Sequence, residues 1–190
     1  MKTALLVIDY INGIIGGSCK DYAKNHPILA NTNKLIKAAR EHNIPIYFVR
    51  LAFDSNYTGA PKHSKMFNYA KSQGLFQIGN KDTEFVEGLN YQKNDVVINK
   101  TAASPFHCNG DLTKSLISQN IERLIFAGVA TDNAIDIGVR EAHDAGYYTI
   151  IAEDTCGASS EEFHQWTMTM LQKIANEILT VEALLQSLSH

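Results

Sequence analysis

Two charged residues stand at the ends of apolar runs, where their side chains would emerge from a sheet. Asp9 closes the run Ala4 to Ile8, and Lys100 follows Asp95-Val96-Val97-Ile98-Asn99. In a partly dry crevice an aspartate and a lysine stabilise each other's charged forms and can pass a proton between them. The same pair also fits an ordinary ion pair at a sheet edge, and spacing alone does not separate the two. A third stretch, Leu124 to Ala142, runs from an apolar segment through Gly128-Val129-Ala130 to Thr131 and Asp132, which offer side-chain caps for a helix over 133–145. Such a turn aims backbone N–H groups at one point and suits an anion or an oxyanion.

The elements that would hold these residues follow from hydrophobic periodicity. Ala4–Ile8, Ile46–Val49, Asp95–Asn99, Leu124–Ala127, Tyr147–Ala152 and the short Glu177–Leu179 are expected strands. Helices are expected over 27–42, 111–120, 133–145 and 161–175, with a last helix capped by Thr180. Tyr10 to Lys24, with Gly13, Gly16 and Gly17, reads as a loop. Residues 51–95 form an irregular excursion rich in glycine and aromatics, the kind of segment that serves as a lid or a contact surface. The alternation predicts an α/β fold with a mostly parallel sheet covered by helices on both faces, as one domain over 1–190.

With 45% hydrophobic and 19% charged residues, the composition is that of a soluble globular chain. A net charge of −3 argues against a nucleic-acid or anionic-membrane surface. No apolar run reaches the roughly 20 residues of a membrane span, and the N-terminal run reads as a strand, not a signal peptide. Cys19, Cys108 and Cys156 have no metal-ligand spacing, so a reduced, cytoplasmic setting is expected. Cys156 reads as a small core residue, and Cys108 beside His107 is a weak candidate nucleophile. His26, His42, His143 and His190 read as surface residues. No G-x-G-x-x-G or P-loop pattern occurs, so no nucleotide cofactor is expected.

The segments LLVIDYINGII, VINKTAASPF, GVATDNAIDIGVREAHDAGY and EDTCGASSEEFH, in that order, resemble the isochorismatase-like cysteine hydrolase family. The excursion 51–95 is the part that matches poorly. The resemblance implies a three-layer Rossmann-like fold and an Asp-Lys-Cys triad acting on a small molecule with an amide-like C–N bond. Asp9 matches its acid/base aspartate and Lys100 its lysine. On the pattern G-V-x-T-x-x-C-V-x-x-T-A-R, Gly128, Val129, Thr131 and Arg140 match, but the nucleophile's position holds Ala134. A cysteine there would have its thiol pKa lowered by the helix N-terminus and a nearby lysine, and backbone N–H groups near Ala130 and Ala134 would hold the oxyanion.

Two explanations of Ala134 stay open: a substitution made to remove the nucleophile, or a naturally cysteine-less member. In the second, Asp9 acts as a general acid, as in isochorismatases proper, although Thr101-Ala102-Ala103-Ser104 replaces the basic and aromatic run that those carry after the lysine. A non-catalytic ligand-binding member is a third reading. The resemblance further implies a homodimer or homotetramer and a non-proline cis peptide at Val129–Ala130. The metal-binding Asp-x-His pair of the nicotinamidase branch is absent, because Asp54 is followed by Ser55 and Asn56, with only His63 nearby, so no metal site is expected. Phe53 and Thr131 are expected to face substrate; Phe53, with Tyr57 and Phe67, equally fits an oligomer contact.

Overall fold

The computed structural model describes residues 1–188. Six strands, β1 (Thr3–Ile8), β2 (Ile46–Leu51), β3 (Val96–Lys100), β4 (Arg123–Gly128), β5 (Tyr148–Ala152) and β6 (Glu177–Leu179), form one sheet in the order β3-β2-β1-β4-β5-β6. Every pairing is parallel. Strand order reverses at β1, and the crevice beyond the carboxyl ends of β1 and β4 is where such sheets bind ligands.

Among the described residues seven α-helices accompany the sheet: α1 (Lys20–Asn25), α2 (Ile28–Glu41), α3 (Lys65–Ser72), α4 (Asp111–Ser118), α5 (Asp136–Asp144), α6 (Glu161–Leu171) and α7 (Val181–Leu188). The alternation of side chains along β1 divides the interior into two layers. Leu6 and Ile8 pack with Leu112, Leu116, Val139 and Leu171 from α4, α5 and α6. Leu5 and Val7 pack with Leu35, Ile36 and Leu184 from α2 and α7. This is the expected three-layer α/β architecture.

Two expectations need correction. Tyr10 to Lys24 is not a plain loop: it holds a widened helical turn, Ile14–Ser18, and then α1. The glycines mark only the turn, and α1 is held by Tyr22, which is buried against Cys19, Ile28 and Val129. The excursion contains α3, where the Ser64 hydroxyl accepts from the Phe67 N–H and Phe67 and Ala70 face inward. Its own small core joins Phe53, Tyr57 and Phe67 to Ile11, Leu51 and Ala102 at the sheet edge. Of the histidines expected at the surface, His42 and His143 are exposed. His26 is half-buried, stacked on Tyr22 with ring centroids 4.0 Å apart. His190 lies outside the described residues.

Candidate active site

Asp9 leaves β1 with φ 55, a left-handed conformation uncommon for any residue but glycine. Its N–H still donates to the Val49 carbonyl at 2.8 Å, so the main chain stays anchored while the side chain turns toward the ends of β2 and β3. There Oδ1 accepts the Leu51 N–H at 2.7 Å. The β2–β3 register sets Lys100 opposite Leu51, and Lys100 Nζ stands 2.7 Å from Asp9 Oδ2. Nζ also donates to the Ala103 carbonyl at 2.6 Å. Both side chains are 2% exposed. Burial is the largest influence on the Asp9 carboxyl and raises its pKa above the ordinary value, against the lowering effect of the Lys100 charge and of hydrogen bonds from Lys100 and Leu51.

The second wall comes from the end of β4. Gly128 has φ 150, and a Cβ there would lie 2.3 Å from the Ile8 carbonyl oxygen. Only glycine allows this approach, which draws the β4 turn over the end of β1. The Val129 N–H donates to Ile8 at 3.0 Å, and the Val129–Ala130 peptide is cis, as the resemblance implies. The chain then enters a widened turn, Thr131–Ile135, which leads into α5. Ala134 is 2% exposed.

Asp9, Lys100, Ala130 and Ala134 line one cavity of about 530 Å³. The structure thus brings together the three strand-end features singled out from sequence. Met66, Phe67 and Ala70 of α3, with Leu75 and Phe76 after it, supply further wall, while Ile14 and Ser18 contribute from the turn after β1.

Other expected roles shift. Phe53 is fully buried and absent from the cavity wall. It sits behind the wall, in edge contact with Phe67 at 5.8 Å, and its N–H donates to the Phe76 carbonyl at 2.8 Å. Phe53 therefore supports two lining residues without facing the cavity. Thr131 is also fully buried; its hydroxyl lies 3.0 Å from His164 Nδ1, turned away from both cap and cavity. Asp132 is exposed, and no side chain caps the turn. Arg140 pairs with Asp136 one turn back at 3.0 Å and does not line the cavity.

The cysteines are all buried and none lines the cavity. Burial pushes the Cys19 thiol up to about 11 and the Cys156 thiol up to about 12. The Cys108 thiol is raised too, chiefly by burial. A thiol held protonated is a poor nucleophile, so none of the three is placed or activated to react in the cavity. Among the described residues no three His, Cys, Asp or Glu side chains converge to hold a metal, and no helix is long and apolar enough to cross a membrane.

Sequence reasoning did not find Met66, Leu75, Phe76, Ile14, Ser18 or Asn133 as lining residues. For α3 a signal existed: Ser64 as a cap, then Phe67 and Ala70 three apart. For Ile14 and Ser18 the glycine-rich surroundings gave none.

Known proteins resemble this chain over most of its length. Residues 3–183 match the family model described as "Isochorismatase domain", and the chain belongs to that family. It is 29% identical over 182 residues to the ureidoacrylate amidohydrolase RutB of Pseudomonas syringae pv. syringae, covering 86% of this chain and 74% of that one. The crystal structure of a cysteine hydrolase from Pseudomonas syringae pv. phaseolicola superposes with a TM-score of 0.85 at 19% identity, over 99% of this chain and 92% of the other. N-carbamoylsarcosine amidase from Thermoplasma acidophilum gives a TM-score of 0.72 at 18% identity, over 95% and 97%.

Proposed function

We propose that, as a member of the isochorismatase family, this protein carries a site built to hydrolyse an amide-like C–N bond of a small molecule. Asp9 and Lys100 handle the proton, and position 134 is the seat of the nucleophile. The observation that carries this reading is the buried Asp9–Lys100 pair in the same cavity wall as Ala134, which lies in the helical turn Thr131–Ile135 that leads into α5. The amidohydrolase and amidase names of two similar proteins support amides and ureides as the bonds to test.

A thiol at position 134 would be activated by the neighbouring pair. Asp9 takes the thiol proton, sulfur attacks the carbonyl carbon, and the carbonyl electron pair moves to an oxygen held by the N–H groups of Ala130 and Ala134. Collapse breaks the C–N bond, and the leaving nitrogen takes the proton from Asp9. Water then gives a proton to Asp9 and attacks the thioester carbon; the C–S bond breaks, and Asp9 returns that proton to the sulfur, restoring thiol and carboxylate. Alanine supplies no atom for the attack, so on this reading the chain binds substrate without forming an acyl intermediate.

The test is Ala134→Cys against a panel of amides, ureides and imides. Turnover together with a trapped acyl-enzyme visible by mass is expected. If the variant neither cleaves any of them nor acylates, the reading fails.

A second reading keeps alanine and uses Asp9 as a general acid. Its support is the raised pKa of the buried carboxyl, which favours the protonated form such an acid needs. It predicts turnover by the chain as it stands, abolished in Asp9→Asn; turnover surviving that substitution would rule it out.

A further inference from the structure

The charge inventory of the cavity says more than its catalytic pair does. Among its lining residues only Asp9 and Lys100 carry charge, and they neutralise each other across 2.7 Å. Of the three N–H donors on Lys100, one faces Asp9 and another is held by the Ala103 carbonyl. Among the described residues no arginine, histidine or second lysine lines the wall. Most of the remaining wall is apolar, with Ile14, Met66, Phe67, Ala70, Leu75 and Phe76 among its residues. Ser18, Tyr69 and Asn133 add neutral polar groups. The volume of about 530 Å³ lies in the ordinary range for a small-molecule pocket.

A carboxylate placed against that wall would lose its hydration and meet no free cation in exchange, and a substrate cation would find no free anion. An alkyl or aryl group placed there leaves water for contacts of its own kind.

We propose that the cavity selects an uncharged substrate: a primary amide or ureide whose reacting carbonyl lies between Asp9 and Ala134 and whose other end is an apolar alkyl or aryl group seated against Phe67, Leu75 and Phe76. This rests on the reading of the cavity as the hydrolytic site. It adds which molecules enter, and assigns that selection to the part of the chain between β2 and β3.

Calorimetric titration of the chain as it stands, with alanine at position 134, tests binding without any need for turnover. The probes are matched pairs. Hexanamide is compared with adipamic acid, in which a carboxylate replaces the terminal methyl group. Phenylacetamide is compared with its para-carboxylate. The neutral member of each pair is expected to bind at least about tenfold more tightly. Equal or tighter binding of the carboxylates, or no binding by any of the four, overturns the proposal.

Leu75→Arg sets a guanidinium in the half-exposed part of the wall and is expected to shift the preference toward the carboxylates by a similar factor. Should that variant not fold, the wild-type pairs decide alone. The two readings of the site fail separately. If neutral amides bind but Ala134→Cys never cleaves or acylates, the chemistry is wrong and the selectivity stands. If Ala134→Cys cleaves the carboxylates preferentially, the selectivity is wrong and the chemistry stands.

Discussion

Lys100 Nζ lies 2.7 Å from Asp9 Oδ2, with both side chains withdrawn from solvent. Neither residue reaches the other by local structure. Asp9 is turned by its positive φ, and Lys100 is placed by the β2–β3 register. The pair is therefore a product of the sheet, and its consequences are energetic as well as chemical.

Removing one partner should cost more than removing the charge from both. Lys100→Met leaves a buried carboxylate uncompensated, and a loss of about 3–5 kcal/mol is expected. Adding Asp9→Asn should restore part of that, because asparagine tolerates the left-handed backbone and keeps an acceptor for the Leu51 N–H. Urea unfolding of the single and double variants measures both. A double variant less stable than Lys100→Met would contradict this account.

Asp9 should also leave a signature in the pH dependence of stability. Its folded pKa is raised above the ordinary 3.8, with burial the leading cause. The folded chain then holds the proton at pH values where the unfolded chain has released it. The contribution of Asp9 is fully present below 3.8 and is lost as pH rises through the raised folded value. Urea midpoints of the wild type should fall relative to those of Asp9→Asn over that window and run parallel above it.

His164 should give the opposite slope. Burial lowers its pKa below 6.5; neighbouring Glu161 and Asp132 act to raise it, and His26 to lower it. As pH falls below 6.5, the unfolded chain takes up a proton that the folded chain resists, so stability declines until the lowered folded value is passed. His164→Phe keeps the packing but leaves the buried Thr131 hydroxyl without its partner, at a cost of about 1–3 kcal/mol. The variant should lack this slope. Because Thr131 opens the turn that carries Ala134, it should also weaken amide binding in the cavity.

Gly128→Ala should be among the most damaging single substitutions. The added methyl group would meet the Ile8 carbonyl oxygen at 2.3 Å and the Ile8 Cβ and N at 2.8 and 2.9 Å, with no flexible side-chain end to yield. A loss of about 3 kcal/mol or more is expected by chemical denaturation. Wild-type stability in this variant would mean that β1 and β4 do not approach so closely.

The native thiols should be inert. Cys19 and Cys156 are fully buried with pKa values of about 11 and 12, and Cys108 is buried as well. A disulfide reagent near neutral pH should label them only on unfolding. In Ala134→Cys one equivalent should react quickly, since position 134 lines the cavity.

Sequence by itself determined the layered α/β architecture. Strands such as Ala4–Ile8 and Leu124–Ala127 are buried on both faces, and an unbroken apolar run is the direct record of that environment. Asp9 and Lys100 were legible because a charge that ends such a run has few places to go. The reading of Ala134 as a nucleophile position came from resemblance alone, since alanine has no chemistry of its own to mark it. The cavity wall supplied by α3 and the residues after it was decided by tertiary structure alone. Phe53 and Phe67 have the same chemistry and both belong to the excursion, yet one is sealed behind the wall and the other forms it. Local sequence does not encode that choice, because it depends on how α3 and the segment around Phe76, bridged to Phe53 through Gln77, settle on the sheet edge. Thr131 shows the same limit. Its position before a helical turn predicts a cap, but His164, from the next helix, competes for the hydroxyl and holds it. Side chains whose partners come from distant elements take their roles from packing, which periodicity does not record.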